Sequence, residues 1–276
     1  MIGYVAGLAL FLLSGCDSFL TQLSENNTTV ANHFRSETDV AVYGMHAQFR
    51  EVMGSFTQDY RDRGLLLDNF GLARWREANE HNLSGYTATA VEFSWMYEYK
   101  AVSAANLVIG NLYRAGLPEE RYRFYMGQAL CIRACLYFQI IRLWGDAPLV
   151  LEYEDISEKG RTPWREIAGH IVADLLLAAE YLPPADQLKD SEGKPLTARQ
   201  IPGRGTAYAI LAGVYAWIAG YGQEPEYYAL GIEAAGKVIG DPNYRLVASP
   251  EEVCTEVLPG NSEEGIFEVC YDDSRG

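Results

Sequence analysis

Over most of this chain the apolar positions recur with a helical period. Phe93, Tyr97, Ala101, Ala104, Ala105, Val108 and Leu112 fall on one face. Gly116-Leu117-Pro118 stops that helix, and Pro118 opens another with Glu119 and Glu120 in its first turn, where the helix dipole favours anions. Tyr122, Tyr125, Met126, Ala129, Leu130, Tyr137, Ile140, Ile141 and Trp144 make its stripe. Gly145-Asp146-Ala147-Pro148 breaks the pattern. Thr162 and Pro163 then give an N-cap and first-turn pair for a helix carrying Ile167, Ile171, Leu175, Ala178 and Leu182, ended by Pro183-Pro184. Residues 185–202 read as an exposed polar connection. Ala207, Ile210, Leu211, Val214, Trp217, Ile218 and Tyr221 mark a further helix, and Tyr228 to Ile239 one more. Gly265 to Tyr271 alternates as a strand does.

Nearer the N-terminus, Ser36-Glu37-Thr38-Asp39 has the spacing of a capping box, so the first helix is expected to start there and run to about Met53. Gly54 to Thr89 is aperiodic and dense in Gly, Asn, Asp, Arg and aromatic residues. Loops of such length in compact domains are usually functional or disordered, and this one is too aromatic for a plain linker. The helices are rich in Ala and Gly, which lets neighbours approach closely in antiparallel pairs. Helix starts near 119, 163 and 203 are too unevenly spaced for a strict repeat. The expected fold is all-α, an irregular array of helical pairs with minor strand content near the C-terminus.

Residues 2–15 carry no charge and end in Leu13-Ser14-Gly15-Cys16. This apolar run is shorter than the roughly 20 residues needed to cross a bilayer, and it closes on small residues and a cysteine, as a lipoprotein export signal does. The alternative is a buried N-terminal helix with an incidental cysteine. Cleavage before Cys16 would make residues 1–15 a signal peptide, with Cys16 lipidated and membrane-anchored. Residues 16–36 would be a polar tether, and 37–276 the helical domain.

The balance of 22 Lys and Arg against 37 Asp and Glu gives a formal charge of −15, which argues against a phosphate-binding surface and so against nucleic acid. Five cysteines are too few for a disulfide scaffold. The histidines at 33, 46, 81 and 170 never reach zinc-ligand spacing. No nucleophile, metal cluster, cofactor motif or phosphate loop stands out, so an enzyme is not expected.

Trp95, Tyr97, Trp144 and Trp217 lie on apolar stripes and read as core. Trp75 lies in the long loop among Arg74, Arg76, Asn79, Asn82 and Tyr86. It has two readings: a stacking platform for a sugar ring, whose C–H face packs on the indole while Arg, Asn and Asp bond the hydroxyls, or a wedge packing the loop onto the helices. The candidate ligand set is Asp68, Trp75, Arg76, Asn79 and Tyr86. Asp59, Asp62 and Asp68 have no fixed separation that would make them an acid–base pair. Cys131 and Cys135, one turn apart, read as small core residues; Cys254 and Cys270 are open to pairing. His170 is expected at the core edge, and Arg133, on an apolar face, either pairs with a buried carboxylate or snorkels.

Several segments resemble the SusD/RagB family of outer-membrane nutrient-binding lipoproteins. These are Cys16-Asp17-Ser18-Phe19-Leu20, Trp95-Met96-Tyr97 through Ala105-Asn106, and Arg133-Ala134-x-x-Tyr137-Phe138 leading to Leu143-Trp144-Gly145-Asp146-Ala147-Pro148-Leu149-Val150. Arg161-Thr162-Pro163 to Asp174-Leu175, Gly203-Arg204 to Val214-Tyr215, and Asn261 to Phe267 continue the match in order. The resemblance implies a helical, tetratricopeptide-like body without catalytic activity or cofactor. It implies a protein that captures an oligosaccharide, or in some members a peptide, and passes it to a SusC-like TonB-dependent porin. Family members extend past residue 276, so it also implies an N-terminal portion of a longer fold. The rival reading from another class is a helical-repeat scaffold that binds only protein.

Overall fold

The computed structural model describes residues 30–64, 95–155, 157–196, 199–257, 260 and 262–269. These are mostly helical: α1 (Val30–Ser36), α2 (Thr38–Gly64), α3 (Met96–Asn111), α4 (Glu119–Trp144), α5 (Trp164–Tyr181), α6 (Arg204–Tyr221) and α7 (Tyr227–Ile239). From α2 onward each helix packs mainly on the next in sequence, as in a helical-pair array. No strand forms among the described residues. Only isolated bridges occur, Ala147 with Thr162 and Lys189 with Pro195.

The array is organised around α4. It is long and apolar enough to pass for a membrane span, yet Phe124 to Ala134 is buried without interruption inside the protein, so it is the central core helix. Against it pack Ala101, Ala105 and Val108 of α3 and Ile167, Ile171 and Leu175 of α5, all almost wholly buried. Gly127 allows the close crossing: a Cβ there would stand 2.8 Å from Leu182 Cγ, so the end of α5 approaches the α4 backbone only because the side chain is missing. Polar groups also lie among the packed helix faces. His46 of α2 hydrogen-bonds Gln128 of α4 at 2.7 Å, and burial lowers its pKa. Burial raises the pKa of Glu98 on α3.

Arg133 ties three helices together. Its Nε and Nη2 donate to the two carboxylate oxygens of Asp174 on α5, both at 2.8 Å, and Nη1 donates to Asn106 Oδ1 on α3 at 2.9 Å. The expected buried carboxylate partner is therefore Asp174, in a bidentate fork. Both side chains are largely hidden, at 9% and 14% exposure, so the pair is weakly screened.

Several local expectations are corrected. Ser36 ends α1 instead of capping α2, and residues 30–36 of the expected tether are helical: Phe34 is fully buried and Thr38 Oγ1 donates to its carbonyl at 2.7 Å. The stretch from Gly54 begins as helix, since α2 runs to Gly64. Pro163, not Thr162, occupies the cap of α5. The side-chain acceptor for that end is Asp146, whose Oδ1 takes the Trp164 N–H at 2.9 Å from 18 residues upstream. Gly265 to Val269 forms no strand: Phe267 stacks on Phe49 with centroids 5.7 Å apart, and the backbone bonds Arg199 at Glu268, without a ladder partner. Tyr221 is 63% exposed, and His170 is exposed too, so neither belongs to the core. Cys131 and Cys135 are free, the first buried and the second half-buried; Cys254 is an exposed free thiol, and Cys270 lies outside the described residues.

Removing one member of the Arg133–Asp174 pair strands the other charge inside the protein. Asp174→Asn is expected to lower stability by about 3–5 kcal/mol, read as a shift of the urea midpoint. Arg133→Leu with Asp174→Leu should recover a substantial part of that loss. A midpoint unchanged in the single variant would remove the pair from the core argument.

Candidate functional site

Of the residues picked out from the sequence, Asp68, Trp75, Arg76, Asn79 and Tyr86 lie outside the described residues, as does Cys16. The described chain resumes at Trp95, and at that point a groove of about 600 Å³ opens. Its walls come from two separate pieces of chain: Trp95, Met96, Tyr99, Lys100 and Ser103 at the start of α3, and Pro148, Val150, Ser157 and Lys159 from the connection between α4 and α5.

The α3 wall is aromatic. Trp95 meets Tyr99 edge-on at 5.8 Å and tilts against Trp144 at 6.0 Å, while the Arg161 guanidinium lies 5.5 Å from its ring centre. These contacts fix the indole but leave it half-buried. Trp95, Tyr97, Trp144 and Trp217 all prove to be only half-buried, packed on the core from its edge. Trp95 precedes the first turn of α3 and Trp144 is the last residue of α4, so each stands at the end of an apolar stripe.

The second wall is held in place by the Arg133 network. Tyr137 Oη accepts the Val150 N–H at 2.7 Å and donates to the Val150 carbonyl at 2.9 Å. Asn106 Nδ2 donates to that same carbonyl at 2.8 Å, and Arg133 Nη1 reaches Leu151 O at 3.3 Å. Tyr99 Oη donates to Pro148 O at 2.5 Å. The two phenols must keep their protons to donate, and burial ensures it. It pushes Tyr137 up to about 12 and raises Tyr99 as well. At the rim, Lys159 pairs with Asp155 at 2.5 Å, and the lysine together with Ser157 holds that carboxyl down to about 2.

The groove therefore combines an apolar floor (Trp95, Tyr99, Pro148, Val150) with hydroxyl and ammonium groups around it. Ser103 has no hydrogen-bond partner among the described residues, and Lys100 Nζ stands 5.2 Å from the centre of the Tyr97 ring. Such a surface suits a sugar ring, which offers an apolar C–H face and a rim of hydroxyls. Among the described residues no group of three His, Cys, Asp or Glu side chains converges to hold a metal ion. The sequence signal for this site was partial. Trp95 was visible as an aromatic, but its proximity to Ser157 and Lys159 exists only because the connection folds back over α3. Trp164, which no periodicity singled out, centres a second aromatic cluster with Trp217 at 4.8 Å and Tyr221 at 5.5 Å.

Residues 18–216 match a family of SusD-like proteins described as starch-binding and associating with the outer membrane. SusD-like protein P2 of Formosa agariphila is 25% identical over 203 residues, covering 72% of this chain and 37% of that protein. A SusD-like protein of Bacteroides ovatus is 24% identical over 226 residues, 76% of this chain and 38% of the other. Among solved structures, Bacteroides fragilis NanU superposes with a TM-score of 0.71 at 20% identity, covering 90% of this chain and 51% of that one. A SusD-like protein from the same species gives 0.67 at 20% identity, covering 88% and 46%. At such identities the structural likeness speaks for the fold alone. The chain spans less than two-fifths of the length of these curated relatives.

The Tyr137 anchor has a pH signature. The folded protein keeps this phenolic proton up to about 12, while an unfolded chain releases it near 10.0, so the folded state binds more protons across that window. Stability contributed by the anchor is complete below pH 10 and is lost as pH rises toward 12. Tyr137→Phe leaves the Val150 N–H without its acceptor, at an expected cost of about 1–3 kcal/mol at neutral pH. The variant should exchange the Val150 amide faster in hydrogen-exchange measurements and show a shallower alkaline loss of stability.

Proposed function

Because the chain belongs to the SusD-like family of starch-binding, outer-membrane-associated proteins, we propose that it captures a nutrient oligosaccharide at the cell surface and hands it to a SusC-like TonB-dependent porin. The observation that carries this reading is the family match over residues 18–216, which takes in every helix from α1 to α5 and most of α6. The Trp95 groove supports it, since an apolar aromatic floor with hydroxyl and ammonium groups at the rim is the chemistry a glycan needs. In this proposal the protein binds and does not catalyse.

The ligand surface is proposed to include the stretch before Trp95, with Trp75 as stacking platform and Asp68, Arg76, Asn79 and Tyr86 as polar partners. That stretch precedes Trp95 in sequence, and the two are proposed to form one surface. Cys16 is proposed as the lipidated residue that anchors the protein, with residues 1–15 removed as signal peptide. An anchored protein needs only a modest contact with a porin to stay docked, because tethering raises its local concentration.

Retardation in gels containing starch or other polysaccharides tests the glycan reading. Stacking on one aromatic is worth on the order of 1 to 2 kcal/mol, so Trp75→Ala should weaken binding roughly tenfold with an unchanged thermal midpoint. Lys100→Ala, at the groove, should weaken the same binding several-fold. Migration unaffected by any polysaccharide in the wild-type protein would reject glycan capture and favour a protein-binding scaffold.

The anchor and the partner are tested together in cells. Cys16→Ala should move the protein from the membrane fraction to the soluble one. Native detergent extracts of the unaltered protein should yield an outer-membrane barrel in pull-downs. Recovery of the protein alone would reject the porin partnership.

A further inference from the structure

A second cavity, of about 530 Å³, opens between the first turns of α4 and the chain that leaves α5, and it shares no lining residue with the Trp95 groove. Its floor includes Phe124, Pro183 and Pro184, and its walls carry Arg121, Lys189 and Arg204. Apart from Arg123, these three cations stand around one cavity in a chain whose net charge is −15.

The neighbouring acids do not neutralise them. Glu180 lies 3.6 Å from Arg123, which also holds Glu119 at 2.8 Å, so those three charges form a set of their own. Glu120 is the remaining acid on the lining. The Arg121 guanidinium lies 5.3 Å from the centre of the Tyr125 ring, its Nη2 donates to Ser191 O at 3.4 Å, and its Nη1 is buried with no hydrogen-bond partner among the described residues. Arg204 spends Nε on Leu182 O at 3.1 Å, which fixes the stem and leaves its outer nitrogens without a partner among the described residues. The Lys189 ammonium has none among them either. Arg204 and Lys189 are exposed, but a buried donor without an acceptor, as Arg121 Nη1 is, is rare in folded proteins, and an anion in this cavity would satisfy it.

We propose that this cavity binds the carboxylate of an acidic saccharide, a uronic-acid residue. Arg121 and Arg204 donate to the carboxylate and Lys189 adds a third positive charge, while the pyranose C–H face rests on Pro183 and Pro184. Gln187 at the lining offers an amide to a ring hydroxyl. The volume falls in the range of small-ligand sites, and it is far larger than a bare sulfate or phosphate requires. The apolar proline floor beside the cations favours a ring that is apolar on one face over an extended acidic peptide. The cavity thus selects charge, where the Trp95 groove offers a platform for a neutral ring, and it stands whether or not the groove binds glycan.

Isothermal titration calorimetry on the full chain separates these possibilities, with trigalacturonic acid, maltotriose, sodium sulfate and triglutamate as probes. Trigalacturonic acid should bind, more weakly at high salt, and Arg121→Gln with Arg204→Gln should weaken it at least about tenfold without changing any binding of maltotriose. Lys189→Gln alters an exposed side chain outside the helices and should weaken it several-fold even if the double variant folds poorly. The proposal is overturned if trigalacturonic acid does not bind the wild-type protein, if its affinity survives these substitutions, or if sulfate or triglutamate binds as tightly.

Discussion

The rest of the structure depends on a charge buried in the middle of α4. Arg133 sits on a helix face that is otherwise apolar, and it is tolerated there because Asp174 meets it with both carboxylate oxygens and Asn106 accepts a third bond. Each partner lies on a different helix, so satisfying one guanidinium sets the relative positions of α3, α4 and α5. Hydrophobic contact alone would hold those helices together but would permit sliding along their Ala-rich faces. The requirement that every donor find an acceptor removes that freedom.

The same network shapes the groove. Arg133 and Asn106 reach past the helices to Leu151 and Val150, and Tyr137, one turn along α4 from Arg133, takes both backbone groups of Val150. A connection that would otherwise be free loop is thereby laid against the start of α3, bringing Pro148, Val150, Ser157 and Lys159 opposite Trp95 and Tyr99. The groove is therefore mechanically continuous with the core. Its aromatic wall is equally constrained, since Trp95 is fixed between Tyr99, Trp144 and Arg161.

This arrangement explains why the residues carrying the family resemblance speak for fold more than for ligand. Asn106, Arg133, Tyr137, Val150 and Asp174 all belong to matched segments, and all are members of one hydrogen-bond network. They specify how the helices lock and where the connection lies. The side chains at the two cavities, Lys100, Ser157 and Lys159 or Arg121 and Lys189, are exposed or half-buried and lie outside that network.

The helices were legible in the sequence because burial of one face imposes a period that composition cannot hide. The faces of α4 and α5 were read correctly down to Ile140 and Leu175, and of the two readings open for Arg133 the structure takes the pairing with a carboxylate. What the sequence left open depends on long-range partners. Whether Gly265 to Val269 becomes a strand depends on a neighbouring edge, and it stacks on Phe49 instead. The cap of α5 comes from Asp146, 18 residues away, which local spacing cannot reveal. Trp95 looked like core because its stripe is apolar. Only the packing shows that the stripe leaves the indole half-buried at the helix start, and that a returning connection makes it the wall of a groove.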